Sequence, residues 1–445
     1  MWVLLKGGRV VDPSQDLDAK ADVLIEDGRI SAVAPNLGAR ETDGGPDVVY
    51  DVTDKIVTPG LIDIHVHLRE PGGEHKETIE TGSRAAAAGG FTTILAMPNT
   101  TPRIDSRPLV EYVLNTARQV ASVNVLTTGA VVREKAEMPE EMAELGEMVA
   151  AGAVALSDDA FPVQSADMMR RIMEYTRMLD VPILTHCEDK TLSADGVMNE
   201  GIVSTMIGLR GIPASSEVIH VWRNILLAES AKCRLHIQHV STAGAVEAIR
   251  TAKRNGIPVT CETCPQYFSL TDEALANYDT NAKISPPLRS KSDVEAIKAG
   301  LADGTIDVIA TDHAPHSLQD KEVEMPLAAC GMSGLETAVP LVITNLVNEG
   351  VLTLSQAIEK MTVVPATVLG LVAGTVKEGA VADVTILDPK SPVTVRASEF
   401  RSKGKNTPFE GYELQGRAVM TMVAGSVVHN ALPAESRKSE AIKAR

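Results

Sequence analysis

No apolar run in this 445-residue sequence reaches the ~18–20 residues needed to cross a bilayer. A membrane-spanning helix is therefore not expected. The opening residues, Met1-Trp2-Val3-Leu4-Leu5-Lys6, are too few for the apolar stretch of a secretion signal and precede no cleavage pattern. Cysteine is scarce. Five in a long chain, an odd number, argue against a disulfide framework and predict a cytoplasmic protein with reduced thiols. Positive charge is the minority sign: 42 Lys and Arg against 59 Asp and Glu give a formal charge of −17. No basic stripe offsets this excess, only a short basic tail after Glu435, so neither nucleic acid nor an anionic membrane is expected as a partner. No G-x-G-x-x-G follows a strand, and there is no P-loop, internal repeat or low-complexity segment.

What is present is an ordinary globular composition. Hydrophobic residues make up 44% and charged residues 23%, which excludes wholesale disorder and allows a large core without staples. Residues 1–56 alternate like short strands around the turn signals Lys6-Gly7-Gly8 and Glu26-Asp27-Gly28-Arg29, and 371–430 read the same way. Neither end is large enough alone, so the two are expected to pair into one small β-sandwich. Residues 431–445 would then form a tail, either a frayed helix or disordered. Between the ends, over 57–370, eight short apolar runs (61–66, 92–97, 123–129, 153–156, 182–185, 235–240, 259–263 and 308–310) alternate with helical stretches such as 77–88, 139–151, 167–178, 217–231, 243–254 and 292–301. Such alternation implies βαβ units, a parallel sheet and the α/β class; eight repeats fit a (β/α)8 TIM barrel. A doubly wound open sheet is the alternative, weakened by the missing phosphate fingerprint.

In such a barrel, chemistry gathers where strands end. Strand one ends Asp63-Ile64-His65-Val66-His67-Leu68-Arg69, with His65 and His67 on one face of an extended strand. Strand four ends Leu156-Ser157-Asp158-Asp159, strand five Thr185-His186-Cys187-Glu188-Asp189, strand six Gln238-His239-Val240-Ser241, and strand eight Thr311-Asp312-His313-Ala314-Pro315-His316. A lone histidine at a strand end is ordinarily structural. Five ends carrying His or Asp at one level point instead to a metal centre at the C-terminal ends of the strands. Imidazole with carboxylate suits zinc and other first-row divalent ions. Four histidines and two aspartates exceed one four-coordinate zinc and suit a pair sharing a hydroxide, which lowers the pKa of water and polarises a carbonyl.

Several motifs are specific in combination: the segment from Asp63 through Leu68-Arg69-Glu70-Pro71-Gly72, Ala96-Met97-Pro98-Asn99-Thr100, Thr185-His186-Cys187-Glu188-Asp189, Gln238-His239-Val240-Ser241, Ala310-Thr311-Asp312-His313-Ala314-Pro315-His316, and Lys403-Gly404-Lys405-Asn406-Thr407-Pro408-Phe409. Together they resemble the class I, bacterial-type dihydroorotases of the amidohydrolase superfamily, over nearly the whole chain. The resemblance implies that His65, His67 and Asp312 bind one zinc, that His186 and His239 bind a second, and that Asp159 bridges both. Two zinc ions per chain are implied, one of which can be weakly held. Some relatives bridge the metals with a carboxylated lysine; 153–160 contains no lysine. The implied reaction is the reversible closure of N-carbamoyl-L-aspartate to L-dihydroorotate in pyrimidine (UMP) biosynthesis. Asp312 would be the catalytic acid and base. His67, Arg69, Asn99, Ser285, His316, Cys330 and Gly331 would contact substrate, with Arg69 gripping the carboxylate outside the ring.

Three features depart from the family pattern. Ser285 stands in Ser285-Pro286-Pro287-Leu288-Arg289 where asparagine is common, and Ala329-Cys330-Gly331 replaces Pro-Phe-Gly. Backbone contacts from Cys330 and Gly331 are expected to survive. Cys261-Glu262-Thr263-Cys264-Pro265-Gln266-Tyr267-Phe268 is also similar to allantoinases and to dihydropyrimidinases or hydantoinases, the alternative activity. Arg69 opposes it, since those substrates are uncharged. A non-catalytic scaffold for aspartate transcarbamoylase is a further alternative, opposed by the full ligand set. Association of an active enzyme with that partner, and a homodimer, are both compatible with the sequence. Cys261 and Cys264 do not read as a functional thiol pair, because residues three apart on a strand face opposite sides, and Cys187, next to a proposed ligand but facing the other way, reads as core. The stretch 316–331 reads as a candidate lid.

Overall fold

The computed structural model describes residues 1–37, 46–134, 141–433 and 437–439. Part of the helical stretch expected at 139–151, and positions 434–436 and 440–445 of the expected tail, lie outside them. Five strands open the chain: β1 Trp2–Asp12, β2 Leu17–Glu26, β3 Arg29–Ala34, β4 Val48–Asp51 and β5 Ile56–Pro59. Eight follow with the barrel: β6 Leu61–Val66, β7 Phe91–Ala96, β8 Asn124–Ala130, β9 Ala155–Ser157, β10 Ile183–Thr185, then, after the short pair β11 Met198–Asn199 and β12 Gly211–Ile212, β13 Leu235–Ile237, β14 Val259–Thr263 and β15 Val308–Ile309. The chain closes with β16 Val384–Thr394, β17 Glu413–Val423, β18 Ser426–Asn430 and β19 Arg437–Ser439.

The barrel strands lie side by side in sequence order and pair in parallel. A parallel bridge from Val66 to His313 joins the first strand to the chain just beyond the last. Helices lie between the strands where the period suggested, among them Ile79–Gly89, Ala166–Leu179, Ser215–Ala231, Ala243–Arg254 and Lys291–Ala302. Their ends obey local chemistry. Thr78 accepts from the Thr81 N–H at the start of the first helix, and Gly90, at φ 95°, ends it in the left-handed region. Phe91, Leu61 and Ile79 are among the fully buried side chains between strands and helices, each contributing ~1.5–3 kcal/mol of burial. Among the described residues no helix is long and apolar enough to cross a membrane.

The first and last strands form one nine-stranded sheet, joined where β5 pairs with both β1 and β16. The sandwich expected from the sequence is thus a single sheet folded over its own core of Val3, Leu5, Val23, Ile25, Ile386 and Met420. Its register shifts between Leu5 and Gly8, which lets one long strand serve both β4 and β5. Within the expected tail, Arg437–Ser439 pair antiparallel with β4 rather than forming a helix.

β6 contains the irregularity that builds the site. Ile62 and Ile64 belong to the cluster filling the lower barrel, while Val66 and Leu68 pack under the helices. The facing reverses between them, where the register to β7 also shifts. Strict alternation from Ile62 and Ile64 would have turned His65 away from the lumen. Asp63 holds this bend: its carboxylate accepts from His65 N at 3.0 Å, Thr311 N at 3.2 Å and Thr311 Oγ1 at 2.6 Å.

Candidate active site

Six side chains from five strand ends meet above the barrel core. His67 Nε2 lies 3.0 Å from Asp312 Oδ1, and His65 Nε2 lies 3.5 Å from the same oxygen. Asp159 Oδ2 stands 3.6 Å from His65 Nε2 and 3.5 Å from His67 Nε2. Its other oxygen is 3.2 Å from His186 Nδ1 and 3.5 Å from His239 Nε2. One carboxylate therefore faces all four imidazoles. Donors about 2.0 Å from one tetrahedral ion lie roughly 3.3 Å apart, close to these separations. All six residues are buried.

Two polar atoms at the centre lack partners, and this is what fits the group to a cation. His65 Nε2 and Asp159 Oδ2 are buried without a hydrogen bond. His186 Nδ1 and His239 Nε2 are 2.7 Å apart, an arrangement of two ring nitrogens that needs a proton or cation between them. His65, His67 and Asp312 form one potential ligand trio, and His65, Asp159 and His239 a second. Unsatisfied buried donors and acceptors are costly unless an ion completes them.

A second layer of carboxylates orients the rings. Glu262, buried in β14, accepts from His65 Nδ1 and, at 3.2 Å, from His236 Nε2. Asn99 Oδ1 lies 2.8 Å from His67 Nδ1, which places the proton there and frees Nε2. Asp158 accepts from the backbone N–H of His186 at 2.9 Å and of Val163 at 3.0 Å. Glu188 Oε2 lies 3.0 Å from His186 Nε2. Burial works against charge on His186, but Asp159 and Glu188 outweigh it and lift the imidazole to about 9. Burial pushes Asp158 up to about 6 and Asp63 up to about 7. For Asp159, hydrogen bonds from His186, His239 and His65 overcome burial and hold it well below the usual carboxylate range.

Beside this centre lies an anion-sized donor group. Arg69 donates from Nε to Pro315 O at 3.2 Å, and its Nη2 stands 3.2 Å from His316 Nε2. His316 Nε2 is also 2.8 Å from the Cys330 carbonyl, which only accepts, so that nitrogen carries the proton. Burial and Arg69 push His316 down to about 2. The ring is therefore neutral, and two N–H donors face each other. Burial lowers Arg69 to about 10 against the pull of Asp312 and Asp159, leaving it charged at neutral pH. Arg69, His239 and Asp312 have φ of 60°, 36° and 49°, left-handed values that cluster at functional sites.

The other expected contacts are nearby. Ser285 lines a small cavity with His186, Glu217 and Arg289. Gly331 has φ 137°, and a Cβ there would come within 2.6 Å of Ala314 O and 3.1 Å of His316 Nε2, so only glycine fits. Its N–H donates to Lys283 O at 3.0 Å and its carbonyl accepts from Asn406 Nδ2 at 2.9 Å. The candidate lid is tied down: Lys321 Nζ donates to Lys283 O and Ala329 O, and Lys283 Nζ to Met325 O. Cys187, Cys261 and Cys264 are buried free thiols.

Sequence reasoning named Asp63, Asp158 and Glu262 without giving them an orienting role, and missed the Glu217–Arg289 pair. Glu217 accepts from Ser241, Thr242 and, at 3.4 Å, Arg289. The available signal was acidic residues inside otherwise apolar strands, as in Val259-Thr260-Cys261-Glu262-Thr263.

Known proteins resemble this chain over nearly its whole length. A profile described as dihydro-orotase-like matches residues 54–245, and one for the amidohydrolase family matches 328–429. The chain is 53% identical to a dihydroorotase from Citrifermentans bemidjiense, over 97% of this chain and 100% of that one. It is 54% identical to a dihydroorotase from Pelotomaculum thermopropionicum, over 96% and 98%. Among solved structures, an L-hydantoinase (dihydropyrimidinase) from Arthrobacter aurescens superposes with TM-score 0.85 at 30% identity, covering 97% of this chain and 96% of that one.

Proposed function

The chain belongs to the dihydroorotase family of metal-dependent cyclic amidohydrolases, and from that premise we propose how its residues close N-carbamoyl-L-aspartate to L-dihydroorotate and reopen it. The observation that carries the reading is Arg69, a charged guanidinium that has no carboxylate partner among the described residues and stands with His316 beside the six-ligand cluster. A carboxylated ring fits there; an uncharged hydantoin leaves the guanidinium unsatisfied.

His65, His67 and Asp312 would hold one zinc, His186 and His239 a second, with Asp159 shared between them. When bound, such a pair supplies a Lewis acid for the amide carbonyl and an acidified water. Arg69, His316 and the free amide of Asn99 fix the substrate carboxylate. Asp312, against His67 Nε2, takes the proton from the attacking water and delivers it to the leaving ring nitrogen. In synthesis the same carboxylate moves the proton the other way. Ser285, Cys330 and Gly331 frame the ring, and Gly331 keeps His316 in place.

We place the enzyme in the cytoplasm, in pyrimidine biosynthesis. A homodimer fits the exposed Met178, Leu226 and Trp222, which lie on the packed helices Ala166–Leu179 and Ser215–Ala231. Association with aspartate transcarbamoylase belongs to the same proposal; sedimentation alone and with that protein tests both. The activity is tested by turnover of dihydroorotate, hydantoin and allantoin by the zinc-loaded protein. Preference for dihydroorotate supports the reading, and preference for either uncharged ring overturns it.

A further inference from the structure

Away from the catalytic centre, a cleft of about 640 Å³ opens where the terminal sheet meets the barrel helices. Its cationic wall is Arg396, Arg401 and Arg417, with His429, which burial and the arginines disfavour as a cation, beside them. Arg401 and Arg417 both act electrostatically on His429, so the three groups converge. Among the described residues, neither Arg401 nor Arg417 has a carboxylate partner. In a chain of net charge −17, two neighbouring guanidiniums left unpaired in one cleft stand out.

The cleft's own carboxylates do not neutralise them. Glu399 lies 3.9 Å from Arg396. Glu336 accepts from Arg401 N at 2.8 Å and 2.9 Å and from Ser402 N at 3.2 Å. Phe400 and Pro340 supply apolar surface. The cleft thus combines an anion-binding wall with room for a compact apolar body.

The segment from Arg401 to Asn406 connects this cleft to the active site. Ser402 Oγ donates to Glu77 Oε2 at 2.6 Å, and that oxygen lies 3.3 Å from His313 Nε2, beside Asp312. Asn406 Oδ1 accepts from His316 N at 2.8 Å, and Asn406 Nδ2 donates to Gly331 O at 2.9 Å. Residues 401–406 thus join the wall of this cleft to Glu77, His316 and Gly331 through six residues of chain.

We propose that this cleft is a second binding site, for a phosphate monoester with a small apolar body, and that its occupancy changes affinity at the active site through residues 401–406. Phosphate oxygens take the Arg401 and Arg417 forks, and the apolar body covers Phe400. The binding itself does not depend on the catalytic reading.

The test is calorimetric titration of the zinc-loaded full-length protein with phenyl phosphate and with inorganic phosphate. Phenyl phosphate is expected to bind once per chain and more tightly than phosphate. Arg417→Gln and Arg401→Gln should each weaken it about ten-fold or more, while leaving turnover without the ester unchanged. In Asp312→Asn protein, saturating dihydroorotate should change phenyl phosphate affinity at least two-fold without displacing it, as reciprocal coupling requires. Absent binding, equal binding by the arginine variants, or simple displacement by dihydroorotate overturns the site. Binding with no mutual effect overturns the coupling.

Discussion

His67 Nε2 lies 3.0 Å from Asp312 Oδ1 across a sequence separation of 245 residues. The contact joins the first barrel strand to the chain beyond the last, at the level where the Val66–His313 bridge closes the ring. Asp312 is thereby a candidate ligand, in one trio with His65 and His67.

Replacing Asp312 by Asn keeps the shape and removes the proton acceptor. Turnover of dihydroorotate should fall by about 10²–10⁴-fold. Zinc content, measured by atomic absorption, should fall by no more than one ion per chain. Retained turnover in the variant would assign the proton transfer elsewhere.

Glu262 acts through His65. Glu262→Gln weakens the hold on the Nδ1 proton and should lower metal affinity by about 10–100-fold, read by competition with a chelating dye. Excess zinc should restore much of kcat, whereas a direct role in the chemistry would leave kcat low at saturating metal.

Arg69→Ala removes a charged, bidentate donor. The expected cost is roughly 2–4 kcal/mol in kcat/KM for dihydroorotate, expressed mainly in KM, with metal content unchanged. Turnover of an uncharged hydantoin, however slow, should not suffer. An unchanged KM for dihydroorotate would remove Arg69 from the carboxylate site.

Stability should carry a pH signature from Glu336. Burial raises this carboxyl from 4.5 to about 7 despite the N–H groups of Arg401 and Ser402. The folded state then holds a proton that the unfolded chain loses above about pH 4.5. Its contribution is greatest below that pH and declines as pH rises through about 7, by at most about 3 kcal/mol. Glu336→Gln should flatten the decline in denaturant midpoint between pH 5 and 7.5. An identical slope in the variant would show that Glu336 titrates normally.

Much of the barrel was legible because its signals are local. Strand and helix periods lie within single segments, and βα repeats constrain the topology. The convergence of His65, His67, Asp159, His186, His239 and Asp312 followed from the fold class, since strand ends share one face of the barrel. The orienting residues were less visible. A glutamate within an apolar strand can serve many partners, and the sequence does not say that Glu262 reaches His65 across 197 residues. Nor does alternation reveal the reversal between Ile64 and Val66, which depends on Asp63 bonding to Thr311 across the closure of the ring.

The sequence by itself determined the kinds of group present, their order and the strand ends that carry them, because residue chemistry and backbone periodicity are properties of the local chain. Tertiary structure decided which atoms face one another: the pairing of Arg69 with His316, the seat of Gly331 against Ala314, and the path of 401–406 from the terminal sheet to the substrate loop. Those relationships depend on packing between segments far apart in the chain, where small differences in register choose the partner.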